Sequence, residues 1–258
     1  MTALDLSPRP GAAPLAAMIR TQALMEARLL LRNGEQLVLA LVVPLLALVG
    51  GQESSGLVDV GPGRRIDVLT PGVLALAVLS TSFTSVAITT GFERRYGVLK
   101  RLGASPLPRV GLLAGKVGAV LLIEALQLVL LSVVAVGLGW SPSGGPLAVV
   151  GVLLLVLLST AAFGTLALLM AGTLRAEATL AGANLAYLLL LAGGAVVVPL
   201  ARYPEAVQPL LALLPTSALA EGLREVLAGD ALGAGYVAVL AAWALVAGAA
   251  TARTFRWE

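Results

Sequence analysis

The 258-residue chain contains no cysteine and no histidine. Their absence removes thiol chemistry, disulfides, the usual zinc sites and histidine proton relays. Charge is scarce as well: Asp, Glu, Lys and Arg make up 12% of the residues, against about 25% in an ordinary soluble domain. So few charges cannot cover a water-facing surface, whereas lipid demands no such cover. No Gly-rich Lys-Ser/Thr phosphate loop is present, so the chain is not itself an ATPase. What it has instead is apolar residues, 59% of the total, with a mean hydropathy of +0.97.

A spanning helix needs about 20 mostly apolar residues, and charge-free windows locate six candidates. Gln36–Gln52 is short and interrupted by Pro44. Val68–Phe92 follows. Ala125–Leu174 runs for 50 residues without a charge, and Ser141–Pro146 divides it in two, because Pro and Gly clusters punctuate helices. Ala178–Ala201 and Ala231–Ala252 complete the set. The expected spans are about 35–52, 69–92, 113–139, 147–173, 178–200 and 231–252. A closed barrel would show alternating segments of about 10 residues, and these windows are longer and uniformly apolar. The predicted fold is an all-α polytopic membrane protein with six transmembrane helices. It forms one membrane domain over 14–258, after a disordered N-terminus at 1–13. That N-terminus has no apolar run behind a basic start, so it does not read as a cleavable signal peptide.

Lys and Arg near span ends set the orientation. With the N-terminus inside, cytoplasmic segments hold twelve basic residues and outer segments four, namely Arg64, Arg65, Arg202 and Arg224. Both termini are therefore expected in the cytoplasm. Two further segments read as interfacial. Pro14–Asn33 mixes Leu15, Met18, Ile19, Leu24 and Leu30 with Arg20, Glu26, Arg28 and Arg32, a pattern suited to lying on the cytoplasmic leaflet. Tyr203–Gly229 is broken by Pro204, Pro209 and Pro215 and charged at Glu221, Arg224 and Glu225, so it is expected as two short helices dipping into the outer interface.

The most informative stretch joins spans two and three. From Glu93 to Arg109 it carries five basic residues and one acid. Its first ten residues are expected to form one short helix displaying Tyr96, Leu99 and Leu102, which Gly103 and Pro106 then stop. A purely electrostatic membrane anchor has no need of Tyr96, Val98, Leu99 and Leu102.

The run Glu93, Arg94, Gly97, Val98, Leu99, Lys100, Arg101, Leu102, Gly103, Ala104, Ser105, Pro106, Leu107 closely resembles the coupling segment of type-2 ATP-binding-cassette (ABC) exporter permeases, most of all the drug-resistance branch that includes the daunorubicin exporter. The order of features along nearly the whole chain is similar too. It includes the N-terminal amphipathic helix, the six spans and the broken outer hairpin. Leu213-Leu214-Pro215-Thr216 with Gly222-Leu223-Arg224, and the tail Arg253-Thr-Phe-Arg-Trp257, resemble the family pattern. Arg95 departs from it, since many relatives carry a second acid there. The resemblance implies a coupling loop made of Glu93, Arg94, Arg95, Tyr96, Gly97, Leu99, Lys100, Arg101 and Leu102 that docks on a separate ABC ATPase subunit. Two such ATPase copies, binding ATP and Mg, would serve a pair of permeases, either two copies of this chain or this chain with a related one. This chain would bind no cofactor itself, would sit in a bacterial inner membrane, and would export an amphiphilic drug, antibiotic or lipid. A polysaccharide-exporting relative is the alternative, weakly disfavoured by 4% aromatic content.

Within the spans, Lys116 and Glu124 stand out, because intramembrane charge is costly and defaults to a functional hypothesis. Eight residues apart, they are too distant to pair directly on one straight helix. Lys116 is expected to snorkel to the inner interface. Glu124 either attracts a cationic substrate or binds another helix. Thr81, Ser85 and Thr89 share a face at i, i+4 spacing and read either as interhelical hydrogen-bonding groups or as a polar wall of the substrate path. In the hairpin, Pro215, Glu221 and Arg224 are candidate site residues. An ion-coupled transporter would want several mid-membrane ionisable groups and an internal repeat. Only Glu124 qualifies, and no repeat is visible. An intramembrane protease would need a Ser–His pair, a zinc site or paired Asp residues within spans, and the chain has no His and no Asp at mid-span.

Overall fold

The computed structural model describes residues 13–34, 41–53 and 63–255. Most of the expected disordered stretch 1–13, the start of the expected first span at 35–40, and Arg256 and Trp257 of the tail lie outside the described residues. Every regular element among the described residues is helical: α1 (Leu15–Arg32), α2 (Val43–Glu53), α3 (Arg65–Leu79), a π-helical turn (Ser80–Ser85), α4 (Val86–Arg95), α5 (Val98–Gly103), α6 (Arg109–Gly137), α7 (Gly145–Thr173), α8 (Ala176–Gly193), a 3-10 turn (Leu200–Arg202), α9 (Gln208–Ala212), α10 (Pro215–Ala228) and α11 (Ala234–Thr254).

Among the described residues, five helices are long and apolar enough to cross a membrane: Arg65–Arg95, which joins α3, the π turn and α4, then Val110–Gly137, Gly145–Thr173, Ala176–Gly193 and Ala234–Thr254. Of the expected first span, α2 is the described part, with 11 helical residues. Pro44 follows two π-helical residues, Leu41 and Val42, that lead directly into α2.

The span Arg65–Arg95 is the axis of the molecule. Some 89% of its most apolar window is buried, against 11% for Ala234–Thr254. Lipid tails are as apolar as leucine, so spans associate through close packing and hydrogen bonds rather than through water exclusion. The axis sequence suits that demand: small residues Gly72, Ala75, Ala77, Ser80 and Ser82 alternate with fully buried Leu76 and Leu79. Around it α2, α10, α7, α6 and α8 pack in contact, and α11 lies along α7.

At the π turn, Thr81 Oγ1 donates to Gln127 Oε1 on α6 (2.7 Å) and Ser82 Oγ donates to the Val78 carbonyl (2.5 Å). A π turn inside a spanning helix commonly marks a functional position.

The expected fifth span over 178–200 is corrected by the structure. Its helix ends at Gly193. Gly194 follows, Ala195 takes a left-handed φ of 54°, and regular structure resumes only at Leu200. The carbonyls of Ala195 and Val196 bond to Arg224 instead of continuing a helix.

The hairpin consists of two helices, α9 and α10, and leans along α11. Trp243 Nε1 donates to the Leu213 carbonyl at its tip (2.8 Å). Trp243 lies nine residues into α11, so the tip sits roughly 13 Å inward from the end where α11 begins.

Candidate functional site

At the opposite end of the axis, three successive side chains diverge at about 100° per residue and reach three different neighbours. Glu93 accepts from Lys116 Nζ on α6 at 3.0 Å through both oxygens. Arg94 Nη2 donates to the Leu174 carbonyl at the end of α7 (2.7 Å). Arg95 forms an ion pair with Glu177 in the first turn of α8. Whatever turns the end of α4 therefore pulls on three spans at once.

The helix stops directly after this hub. The sequence reading placed residues 93–102 in one short helix, and the structure corrects that. Gly97 adopts φ 67°, ψ 20°, a left-handed conformation that costs a residue with a Cβ about 1–2 kcal/mol. Glu93, Arg94 and Arg95 belong to the end of the span, and α5 is a separate helix of six residues.

Tyr96 occupies the corner. Its ring stacks on Phe92 (6.1 Å between centroids, 21°) beneath the Arg95 guanidinium, 5.8 Å away. Its backbone carbonyl accepts from Arg101 Nη2 (3.1 Å). The result is a fixed aromatic that is 61% exposed. Lys100 and Arg101 are exposed beside it and Leu102 is half-buried. Leu99 is only 4% exposed, so it seats α5 on the body rather than projecting from it. From Arg94 to Ile123 the chain contains no acidic residue, so the segment itself adds only positive charge to the corner, where Glu177 of α8 pairs with Arg95.

Lys116 does not snorkel. Its Nζ lies 3.0 Å from Glu93 and 3.3 Å from Glu26 on α1, all three side chains nearly buried. Gln22 Nε2 also donates to Glu26 Oε1 (2.9 Å). An ammonium with two carboxylates at hand has no reason to reach for the interface, because removing water from an unpaired charge costs far more than pairing it. The sequence reading missed Glu26 in this role. It is the only acidic residue in α1, which was the available signal. Gly111, Gly115 and Gly118 of α6 were missed too. A Cβ at Gly115 would stand 2.6 Å from Gln22 Cγ, and one at Gly118 would stand 3.3 Å from Ala23 Cβ. The small-xxx-small spacing that permits close helix approach in membranes was visible in the sequence.

Glu124 is 1% exposed and its Oε2 accepts from Thr160 Oγ1 of α7 (2.7 Å). Thr81, Ser85 and Thr89 do share a face, directed at α6: Thr81 bonds Gln127, while Ser85 and Thr89 line a small void with Glu26, Lys116 and Val120. The structure thus gathers Thr81, Ser85 and Thr89 on the seam between the axis and α6. It sets Glu124 in the adjoining seam between α6 and α7. Beside these seams an apolar cavity of about 240 Å³ is lined by Ser82, Lys116, Val120, Leu157, Thr160 and Gly164.

In the hairpin, Pro215 opens α10 and is buried. Arg224 donates to the carbonyls of Val68 (3.2 Å), Ala195 (2.7 Å) and Val196 (2.8 Å) and to Glu221 Oε1 (2.7 Å), which also accepts from the Leu200 amide (2.8 Å). Burial pulls the Arg224 guanidinium below its ordinary pKa, and the neighbouring Glu221 carboxylate opposes that shift. One arginine therefore ties the irregular segment after α8 to the axis.

A model of a protein family described as "ABC-2 family transporter protein" matches residues 37–253 of the chain. No curated protein matches it.

Proposed function

From the premise that the chain belongs to the ABC-2 transporter family, whose members are the membrane subunits of ATP-binding-cassette transporters, we propose that it is the permease of an exporter powered by a separate ATPase. Its coupling site is the segment from Glu93 to Arg109. One observation carries the reading: a rigid, exposed, cationic corner at Tyr96, Lys100 and Arg101 stands at the tip of the most buried span. A movement imposed there enters the axis directly and spreads through Glu93, Arg94 and Arg95 to α6, α7 and α8. ATP and Mg bind to the partner, and this chain contributes leverage rather than chemistry.

The rest of the reading follows. The helix that includes α2 is the first of six spans, both termini face the cytoplasm, and the membrane is a bacterial inner membrane. Two permeases, identical or related, pair with two ATPase chains. The drug-resistance branch is the one it resembles most, and the cargo is an amphiphilic drug, antibiotic or lipid. Short connections at Ser141–Gly144 leave little room for a large outer domain that would handle a polymer. In this reading Glu124, one oxygen of which accepts from Thr160, ties α6 to α7 rather than receiving a cation.

Reconstitution with the ATPase that co-purifies tests the proposal. Vesicles should export a fluorescent amphiphile only with ATP, and Gly97→Val or Glu93→Ala should abolish export while the permease still reaches the membrane. Wild-type export from those variants would sink it.

A further inference from the structure

An amphipathic helix resting on a bundle ordinarily turns its apolar face inward. Helix α1 turns a mixed face inward. It buries Gln22, Glu26 and Ala27 against α6 and leaves Leu24, Met25 and Leu29 exposed. Its buried apolar contact with α6 is a small cluster of Ala27 and Leu30 with Ala119 and Ile123, and polar groups occupy the rest of the seam. Glycines on α6 admit the α1 backbone at close range, with Ile19 O only 3.4 Å from where a Gly115 Cβ would stand. At the centre of this seam sits Lys116, bonded to Glu26 on α1 and to Glu93 at the end of α4. Glu93 leads into the cationic corner and Lys116 belongs to the helix that leaves it, so this one ammonium joins both flanks of the corner to α1.

We propose that Lys116 and Glu26 are positioning residues of the transport cycle, which make α1 part of the lever that the coupling segment drives. The inference rests on the assignment of Glu93–Arg109 as the ATPase dock. When Glu93 moves with that segment, a Lys116 left behind would strand a buried carboxylate without its counter-ion, and stranding a buried charge is far more costly than moving a helix with it. The ion cluster and the glycine seam oblige α1 to travel with α6 and with the end of α4. An interfacial helix bound only through its leucines would be free to slide.

The absence of cysteine makes the test clean. Spin labels at exposed Arg28 and Ala104 report α1 against the coupling segment, and labels at Ala104 and Leu245 report the coupling segment against α11. Measurements use the complex with its co-purified ATPase, with and without ATP and vanadate. The expected result is an Ala104–Leu245 distance that shifts on trapping while Arg28–Ala104 stays constant. In Lys116→Met, Arg28–Ala104 should shift or broaden. Lys116→Arg, which keeps a cation between the two carboxylates, should preserve constancy. A wild-type Arg28–Ala104 distance that shifts on trapping overturns the inference, as does Lys116→Met with no effect on it. A static Ala104–Leu245 distance overturns the docking assignment itself.

A second arm locks the seam covalently. Ala23→Cys with Gly118→Cys places two Cβ atoms about 3.3 Å apart, near the span of about 3.5–4.5 Å that a disulfide requires. Locking α1 to α6 should leave ATP-driven transport of a fluorescent cationic dye intact. Its loss on oxidation, recovered on reduction, overturns the inference.

Discussion

Gly72→Ala should damage the hairpin lock out of proportion to one methyl group. A Cβ at residue 72 would stand 1.8 Å from the Val196 carbonyl oxygen and 2.9 Å from Arg224 Nη2, where real Cβ contacts essentially never fall below 3.0 Å. The difference between 1.8 and 3.0 Å means the carbonyl must move by about 1.2 Å. It is backbone, so no rotamer change relieves the overlap, and it accepts from Arg224 Nη2 at 2.8 Å. Overpacking of this kind costs about 1–3 kcal/mol, and losing a hydrogen bond to a charged group about 1.5–3 kcal/mol. A total of about 3–5 kcal/mol lowers the melting temperature by roughly 6–20 °C for a chain of this size. Intrinsic fluorescence of the purified permease is the assay, because Trp243 bonds the hairpin tip. Gly164→Ala is the control, its nearest new neighbour being the Ser82 carbonyl at 4.0 Å. The reasoning fails if Gly72→Ala melts with Gly164→Ala. The double change Gly72→Ala with Arg224→Ala should cost less than the sum of its parts, since both act on one site.

Three further outcomes are expected. Glu124→Gln keeps an acceptor for Thr160, so dye export and assembly should be near wild type. Lost export with assembly intact would return Glu124 to the substrate path. Tyr96→Ala should leave permease stability unchanged yet reduce the ATPase recovered by co-purification, and full recovery would show that the exposed ring is not a contact. Arg95→Ala removes an ion pair whose side chains are 49% and 61% exposed, so it should cost at most about 1 kcal/mol in melting experiments. A larger loss would mean that the hub depends on Arg95 more than its exposure indicates.

How far the sequence carried the fold depended on whether the controlling contact was local. Charge-free windows located the five helices that can cross among the described residues, because spanning length and uniform hydropathy are properties of a segment by itself. The end of the fifth span was not legible. Hydropathy runs unbroken through Ala178–Ala201, while the helix stops at Gly193 because Arg224, some thirty residues on, supplies donors to the carbonyls that follow. Helix α1 was legible as amphipathic, but the face it buries was not, since burying Glu26 makes sense only once Lys116 is known to lie opposite. At the coupling segment the geometry was not legible. Gly97 stands in view in the sequence, but only its left-handed φ shows that the helix ends there. The partner of Arg95 was open from sequence, and Glu177 answers it from across the helix end. The π turn was hidden altogether, because Thr81 looks like any intramembrane threonine until Gln127 is placed against it.

The coupling role of Glu93–Arg109 is the claim on which the rest depends, and one measurement reaches it directly. A photo-crosslinking amino acid at position 96, the exposed corner, should trap a single ATP-binding chain when membranes are illuminated. The yield of that product should change between ATP-free and vanadate-trapped states. A crosslink that forms only to lipid, or only to this permease, would contradict the account.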